Sequence, residues 1–460
     1  MAQLMQQSAV TPDYRRACES LSQAVQFQTV SHEDTTQTDY EPFRAFRNWL
    51  SQRYPLVHEH LELTLIAEHT LLFIWEGSNP KLLPVLLTAH QDVVPSGDPA
   101  AWTHPPFSGY MDENCIWGRG TLDVKIQIVA ILEAVETLLE AGHTPELSLH
   151  ICFGHDEEIG GYQGAGMAAQ YMLERGFSYA MVLDEGGAVT TGMLKGFEYP
   201  LAACGTAEKG YMDVELTASA EGGHSSMPGT STALERVADA ALDITRDRFK
   251  ARLIPPVRRL FKTLASGSRG FQKLILSNLW LTRPMVLHLM GRIPSVDAMI
   301  RTTVVPTMAQ GSDAANVLPQ KATMVLNIRV LPGDSCQAVT EHINRKLRRH
   351  PHVGMKILRA DEPSKISPSN GEPLSWLFEA ISRVFPSALP TPYLMAGSTD
   401  AKKYEKLSDH IYRFSPVLLT GEQLSLMHNS DEHIELENVR RAVDFYLSLY
   451  TLINNDTESV

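Results

Sequence analysis

Imidazole and carboxylate groups gather at four places in the first half of this chain. "TAHQD" carries His90 and Asp92, "GRGTLDVK" carries Asp123, "FGHDEEIGG" carries Asp156, Glu157 and Glu158, and "VLDEGG" carries Asp184 and Glu185. Three adjacent acids repel one another at neutral pH unless a cation or a shared proton relieves them. The donors are imidazole and carboxylate without thiolate, a set that suits Zn2+, or Mn2+ and Co2+ in related sites. One glutamate can then hold metal while its neighbour stays free as a base acting on water. A lone histidine or acid pair at such a place is more often structural. The joint pattern carries the metal reading, and no Gly-x-Ser-x-Gly elbow or phosphate-binding glycine loop competes with it.

These groups must be delivered by elements that end where they stand. "LLPVLLTAH" (82–90), "LSLHICF" (147–153) and "YAMVLDEG" (179–186) read as strands. Residues 125–141 have helical spacing and stop at Gly142, and a second helix spans roughly 164–175. Strands separated by helices imply crossover units and a mainly parallel sheet, with ligands just beyond the carboxyl ends of its strands. Near residue 207 the pattern changes. "KGYMDVELTASA" (209–220) alternates like a half-exposed strand, a helix follows from about 232, and strands are expected at 298–306 and 322–330. Helices near 372–385 and 436–452 return the chain to its first part.

The expected fold is therefore α/β. A discontinuous catalytic domain, 1–207 with 362–460, has a mixed, mainly parallel sheet and helices on both faces. An α+β domain at 208–361 is inserted, with a basic apolar helical part at about 246–297.

A length of 460 residues favours two domains. The formal charge of −13 argues against a nucleic-acid partner, which needs a net basic face. Five scattered cysteines (Cys18, Cys115, Cys152, Cys204, Cys336) form no C-x-x-C and fit a reducing compartment. No signal peptide is visible, and runs such as "LLPVLL" fall short of the roughly 20 residues of a membrane span. The expected place is the cytoplasm. Residues 246–283 hold ten Lys or Arg and one acid, Asp247, with large apolar residues interleaved. They read as a pair of solvated amphipathic helices. The alternative is a basic apolar surface, within 246–290, that meets lipid or a fatty acyl group.

Seven motifs, "TAHQDVVP", "GRGTLDVK", "GHDEEIGG", "VLDEGG", "GGHSSMP", "GSTDAKKY" and "HNSDEHI", resemble those of the dinuclear zinc peptidases of the aminoacylase and carboxypeptidase S group. The likeness runs from about residue 20 to 450, and the basic insert is most similar to the carboxypeptidase S and N-acyl-amino-acid hydrolase branch. The resemblance implies two Zn2+ ions, with Co2+ or Mn2+ as substitutes. His90 and Asp184 would hold one, Glu158 and His433 the other, and Asp123 would bridge them. Glu157 would be the general base and acid. Asp92 would fix the His90 tautomer from behind. A cis peptide is implied between Asp123 and Val124, and His155 and Glu185 match no ligand position.

The inserted domain would be of a lid or dimerisation type. His224 would stabilise the oxyanion, and a homodimer is implied where this histidine crosses to a partner subunit. The alternative is a plain turn histidine. Asn327 and Arg329 share a strand face. Arg329 suits a substrate carboxylate, a surface arginine being the plain alternative. Asn316 of "NVLP" and Thr399 complete the expected substrate contacts; Thr399 stands in "GSTDAKKY", where Ser398 replaces the commoner second glycine. The expected reaction is hydrolysis of the amide bond of N-acyl amino acids, or of short peptides, with a free carboxylate. A dipeptidase or carboxypeptidase with the same site is the alternative. A non-catalytic metal-bound ligand-binding protein is a remote one.

Overall fold

The strands that lead to the site are buried along their whole length. In the computed structural model every residue of Thr70–Trp75, Val85–His90, Leu149–Gly154 and Met181–Asp184 is buried. A strand covered on both faces loses the in–out alternation and reads as a continuous apolar run. The structure describes residues 11–192 and 197–455. It divides into two compact units: Met1–Thr206 with Ser367–Tyr393 and Thr399–Val460, and Ala207–Ile366 with Leu394–Ser398.

A ten-stranded mixed sheet organises the first unit. Its order is Glu62–Ile66, Thr70–Trp75, Leu149–Gly154, Val85–His90, Met181–Asp184, Ile411–Arg413, Leu201–Glu208, Val189–Thr191 and Leu418–Thr420, with Leu389–Met395 also paired to Leu201–Glu208. The four strands from Leu149–Gly154 to Ile411–Arg413 run parallel. Glu62–Ile66 and Thr70–Trp75 make an antiparallel hairpin at one edge. Val85 pairs with both Leu149 and Met181, so the carboxyl ends of the three strands come out side by side.

Helices cover both faces of this sheet. Lys125–Glu140 is buried from Lys125 to Leu138, the mark of a helix enclosed on all sides. It lies against Val85–His90 and the helices Tyr14–Val25, Pro55–His60 and Leu436–Asn455. Gln127 Nε2 donates to the Thr88 carbonyl at 2.9 Å, and Glu136 accepts from the N–H groups of Leu56 and Val57 at 3.1 and 2.9 Å. On the opposite face Ala165, Ala168, Ala169 and Met172 of the helix Ala165–Glu174 pack on Leu72, Leu86, Cys152 and Val182.

The second unit has an antiparallel sheet in the order Thr303–Gln310, Lys321–Val330, Gly210–Ser219, Val353–Asp361. Strand Gly210–Ser219 alternates strictly, and its buried Met212, Val214, Leu216 and Ala218 meet the helices Ala233–Arg246 and Cys336–Leu347. Residues 246–283 enter three helices rather than a pair, Pro255–Gly267, Gly270–Ser277 and Leu279–Met290, and Pro294–Ile300 follows them. The strand expected at 298–306 begins only at Thr303. Its first residues belong to the helix Pro294–Ile300, because Asp297 accepts from Arg301 Nε at 2.8 Å, four residues on, and also pairs with Arg248. Lys209 Nζ then donates to the Ala298 and Arg301 carbonyls at 2.8 and 3.0 Å.

Candidate active site

His90 ends its strand with a buried imidazole whose two nitrogens both face acceptors. Nδ1 lies 3.0 Å from the Asp92 carbonyl and 3.4 Å from Asp92 Oδ1, and Nε2 lies 3.1 Å from Asp123 Oδ1. Such a ring is either doubly protonated or shares a cation with Asp123 through Nε2. The carboxylates of Asp123 and Asp92 outweigh burial and hold its pKa well above the usual histidine range.

Asp92 does more than orient that ring. Its Oδ1 accepts from the Glu157 N–H and its Oδ2 from the Glu158 N–H, each at 3.1 Å, and Oδ2 also accepts from Ser31 Oγ at 2.7 Å. The same carboxylate thus fixes the back of His90 and the turn Glu157–Ile159. The third acid of the cluster has a different task. Asp156 accepts from the N–H groups of Gln163 and Gly164, both at 2.7 Å, and so pins the start of the next helix. The glycine pair that follows makes room for Asp400. A Cβ on Gly161, where φ is +64°, would lie 1.8 Å from Asp400 Oδ1.

Asp123 stands at the end of a glycine-rich loop, before a cis peptide to Val124. The loop is wound on one buried carboxylate. Glu432 Oε1 accepts from the N–H groups of Gly120 at 3.0 Å, Leu122 at 2.8 Å and Asp123 at 3.4 Å, while Oε2 pairs with Arg119. Asp123 is thereby aimed. Its Oδ1 faces His90, and its Oδ2 lies 3.0 Å from His428 Nε2. Against burial, these two histidines hold the Asp123 carboxyl well below the usual range. His428 Nε2 is also 3.3 Å from Glu158 Oε2. Hydrogen bonds to Asp123 and Glu158 push the His428 imidazole up to about 10.

His433, the expected partner of Glu158, is elsewhere. Its ring packs on Trp117 with centroids 4.2 Å apart, and its Nδ1 donates to the Asp431 carbonyl at 2.7 Å. The cause is strand alternation. Glu432 and Ile434 are fully buried, so the side chain between them points the other way. The imidazole beside Asp123 and Glu158 is His428, placed by a chain reversal with positive φ at His428 and Asp431 (62° and 59°).

Among the described residues, His90, Asp123 and Glu158 offer donor atoms within 4.8 Å of one another. Glu158 Oε1 is buried with no hydrogen-bond partner. An orphaned buried carboxylate oxygen is costly unless a cation meets it. The donors therefore fit divalent metal. Glu157 Oε2 is 3.9 Å from His90 Nε2. Burial raises the Glu157 carboxyl well above the usual range; His90 opposes this, and Asp400, Glu185 and Glu158 add to it. Asp184 is buried at the end of the neighbouring strand, outside the three-residue group. Burial and then Asp184 raise the Asp400 carboxyl. Thr399 Oγ1 accepts from the Ala401 N–H at 3.2 Å and caps the turn Asp400–Tyr404. His155 sits apart in an aromatic cluster, its Nδ1 2.7 Å from Thr70 Oγ1.

The remaining expected residues belong to the second unit. His224 is exposed, in a two-stranded pairing with Val317, and its Nδ1 accepts from the Ser226 N–H at 3.2 Å. A neutral ring accepting there carries its proton on Nε2. Asn316 is exposed, and its carbonyl accepts from the Ser225 N–H at 3.0 Å. Asn327 Nδ2 donates to Asp213 Oδ1 at 2.8 Å. The Arg329 guanidinium lies 4.6 Å from the Tyr211 ring centroid, directly across the strand pair.

The sequence pattern of peptidase family M20/M25/M40 matches residues 86–451. The chain belongs to this family. It is an enzyme, a hydrolase of a metal-dependent family. It is 36% identical over 439 residues to the probable carboxypeptidase S-like 2 of Dictyostelium discoideum, covering 95% of this chain and 84% of that one. It is 33% identical over 456 residues to the N-fatty-acyl-amino acid synthase/hydrolase PM20D1 of Xenopus tropicalis, covering 97% and 87%. Its fold is similar to that of the M20 metallo-carboxypeptidase Sso-CP2 of Sulfolobus solfataricus, with a TM-score of 0.72, 16% identity and coverage of 95% and 99%.

Sequence reasoning missed His428 and Glu432 of this M20 site and gave Asp156 no task of its own. A signal for His428 and Glu432 was present in "HNSDEHI", which holds two histidines and two acids. Glu432 carries a testable consequence for the M20 hydrolase. Replacing it with Ala leaves Arg119 buried without its partner and three N–H groups without an acceptor. Breaking a buried pair in this way costs about 3–5 kcal/mol, to be read as a loss of unfolding free energy in denaturant. A variant as stable as wild type would show that the loop is held by other means.

Proposed function

We propose that this M20 hydrolase cleaves the amide bond of N-acyl amino acids at a centre of two Zn2+ ions, for which Co2+ or Mn2+ can substitute. The observation that carries the reading is Asp123, which turns one oxygen to His90 and the other to His428. His90 with Asp184 would hold one ion, and His428 with Glu158 the other. Divalent ions so held supply Lewis acidity, polarising the scissile carbonyl and lowering the pKa of water toward neutrality.

The protein's own groups do the rest. Glu157 takes a proton from the attacking water and passes it to the leaving nitrogen; its raised pKa suits a group that must both accept and return a proton. Asp92 keeps His90 and the acid turn in register. His224, with its proton on Nε2, donates to the tetrahedral oxyanion. Arg329 receives the free carboxylate, and Asn316, Asn327 and Thr399 contact the substrate. Replacing Arg329 with Ala should raise KM about tenfold or more and change kcat little, the sign of lost ground-state binding. A normal KM would put the carboxylate elsewhere.

The relative named as an N-fatty-acyl-amino acid synthase/hydrolase supports a long acyl group. The relative named carboxypeptidase S-like supports a second reading, short peptides with a free C-terminal carboxylate. A panel of N-acetyl, N-lauroyl and N-aminoacyl amino acids tests both. Fastest turnover on N-lauroyl substrates, lost to a chelator and restored by metal, is expected. Fastest turnover on N-aminoacyl substrates would favour the peptidase, and none on any would reject the proposal. The reading includes a cytoplasmic enzyme, supported by cysteines that form no disulfide, and a homodimer, supported by the exposure of His224, Asn316 and Val317. Fractionation and sedimentation velocity test these two points.

A further inference from the structure

Between Asp247 and Asp297 the chain has ten Lys or Arg and no acid. Taking these ten charges from the net −13 leaves −23 on the remainder. Such a separation of sign orients a protein toward an anionic surface, since one part is attracted and the rest repelled.

The helices of this segment are of two kinds. Pro255–Gly267 buries Val257, Leu260, Phe261 and Leu264 at helical spacing and turns Arg258, Arg259 and Lys262 outward. It is an ordinary amphipathic helix. In Leu279–Met290 the outward face is itself largely apolar, and Gly270–Ser277 adds Leu274 beside its exposed Gln272, Lys273 and Ser277. Leu274 is 60% exposed, Trp280 82%, Leu281 65%, Met285 41% and Leu289 50%. Lys273, Arg283 and Arg292 are exposed among them. Single exposed apolar residues carry no meaning. Leu281, Met285 and Leu289 recur every four residues and so share one face of their helix, with Trp280 next to Leu281 and Leu274 on the preceding helix; a concentration of this kind marks an interaction surface. Trp280 stands out, because Trp75, Trp102 and Trp376 are buried and Trp49 and Trp117 partly so.

We propose that the segment from Gly270 to Ile293 is a docking element that lays the enzyme on an anionic lipid bilayer without crossing it. No described helix is long and apolar enough to cross a membrane. Interleaved basic and apolar side chains suit the headgroup boundary, where lysine and arginine meet lipid phosphates and the apolar residues enter the acyl layer. A tryptophan is at home at that depth. Docking itself does not depend on the substrate. Its use does rest on the acyl-amino-acid reading: amphiphilic N-fatty-acyl amino acids collect in bilayers, and docking holds the enzyme where they are.

Flotation of the metal-loaded enzyme with phosphatidylcholine vesicles, with and without phosphatidylserine, tests the proposal. Wild type should float with the anionic vesicles, bind less as salt is raised, and show a blue shift of Trp280 fluorescence. The double variant Trp280→Ser, Leu281→Ser should bind about tenfold more weakly or worse. Lys273→Glu with Arg283→Glu should weaken binding and flatten its salt dependence. Both variants should keep the wild-type melting profile and hydrolyse soluble N-acetyl amino acids at the wild-type rate. If neither variant nor wild type hydrolyses any acyl-amino acid, the substrate reading fails while flotation still decides docking. Three results overturn the proposal. One is wild type that floats with neither vesicle, or equally with both. Another is undiminished binding by the Trp280/Leu281 variant. The third is a concentration-dependent dimer that this variant abolishes, which would assign the face to a second copy of the chain.

Discussion

Replacing Glu157 with Gln is expected to lower kcat by about 10²–10⁴-fold, the usual contribution of a general acid–base group. Metal content should stay at the wild-type level. The glutamine keeps the size and one acceptor oxygen but can no longer take a proton. The donor atoms that come within 4.8 Å of one another belong to His90, Asp123 and Glu158, and Glu157 is not among them. Its backbone would remain fixed, because Asp92 Oδ1 accepts from its N–H and not from its side chain. KM should change less than kcat, since proton transfer is realised in the transition state. Near-wild-type turnover in metal-replete protein would remove Glu157 from its role. Loss of metal in this variant would instead make it a ligand.

The second large effect separates two histidines five residues apart. His428→Ala should lose metal and nearly all activity, a larger defect than the 10–100-fold typical of a group behind the ligands. His433→Ala should keep full metal content and most of its activity. The contrast follows from where each ring points. His428 Nε2 faces Asp123 and Glu158 at 3.0 and 3.3 Å, whereas His433 packs on Trp117 and donates to a backbone carbonyl. Metal analysis of both purified variants, with activity alongside, decides the point. The reverse outcome would restore His433 to the centre.

That pair also shows where the sequence was legible. His90 and Glu158 follow continuous apolar runs, so strand ends could be placed and the shared edge inferred from the parallel order. Asp123 was marked by its glycine-rich loop, and the three do meet in space. "HNSDEHI" gives no such guidance. Its two histidines are separated by a reversal that uses positive φ at His428 and Asp431, neither of them glycine. Nothing in the string says on which side of that reversal the site lies. The strand after it is three residues long, too short for its alternation to be read in advance.

Buried carboxylates were hard to assign for a related reason. Asp92, Asp156 and Glu432 all serve backbone N–H groups beyond their own turn, 66, 7 and 310 residues away in the case of Glu158, Gln163 and Leu122. Such long-range acceptors leave no local periodicity. The crowding in "DEEIGG" turns out to be a division of labour. Asp156 holds a helix start, Glu157 and Glu158 face the site, and Gly161 leaves room for Asp400. In the second unit the alternation of "MDVELTAS" was plain, while the residues near 298 followed a four-residue Asp297–Arg301 contact rather than their β-branched neighbours.

The most direct test of the carboxylate-bridged centre is anomalous diffraction at the zinc absorption edge from crystals of the zinc-loaded enzyme. Two peaks about 3.5–4 Å apart, one on each side of the Asp123 carboxylate, are expected for such a pair, with His90 beside one and His428 beside the other. A single peak, or peaks remote from Asp123, would contradict a two-metal centre built on these residues.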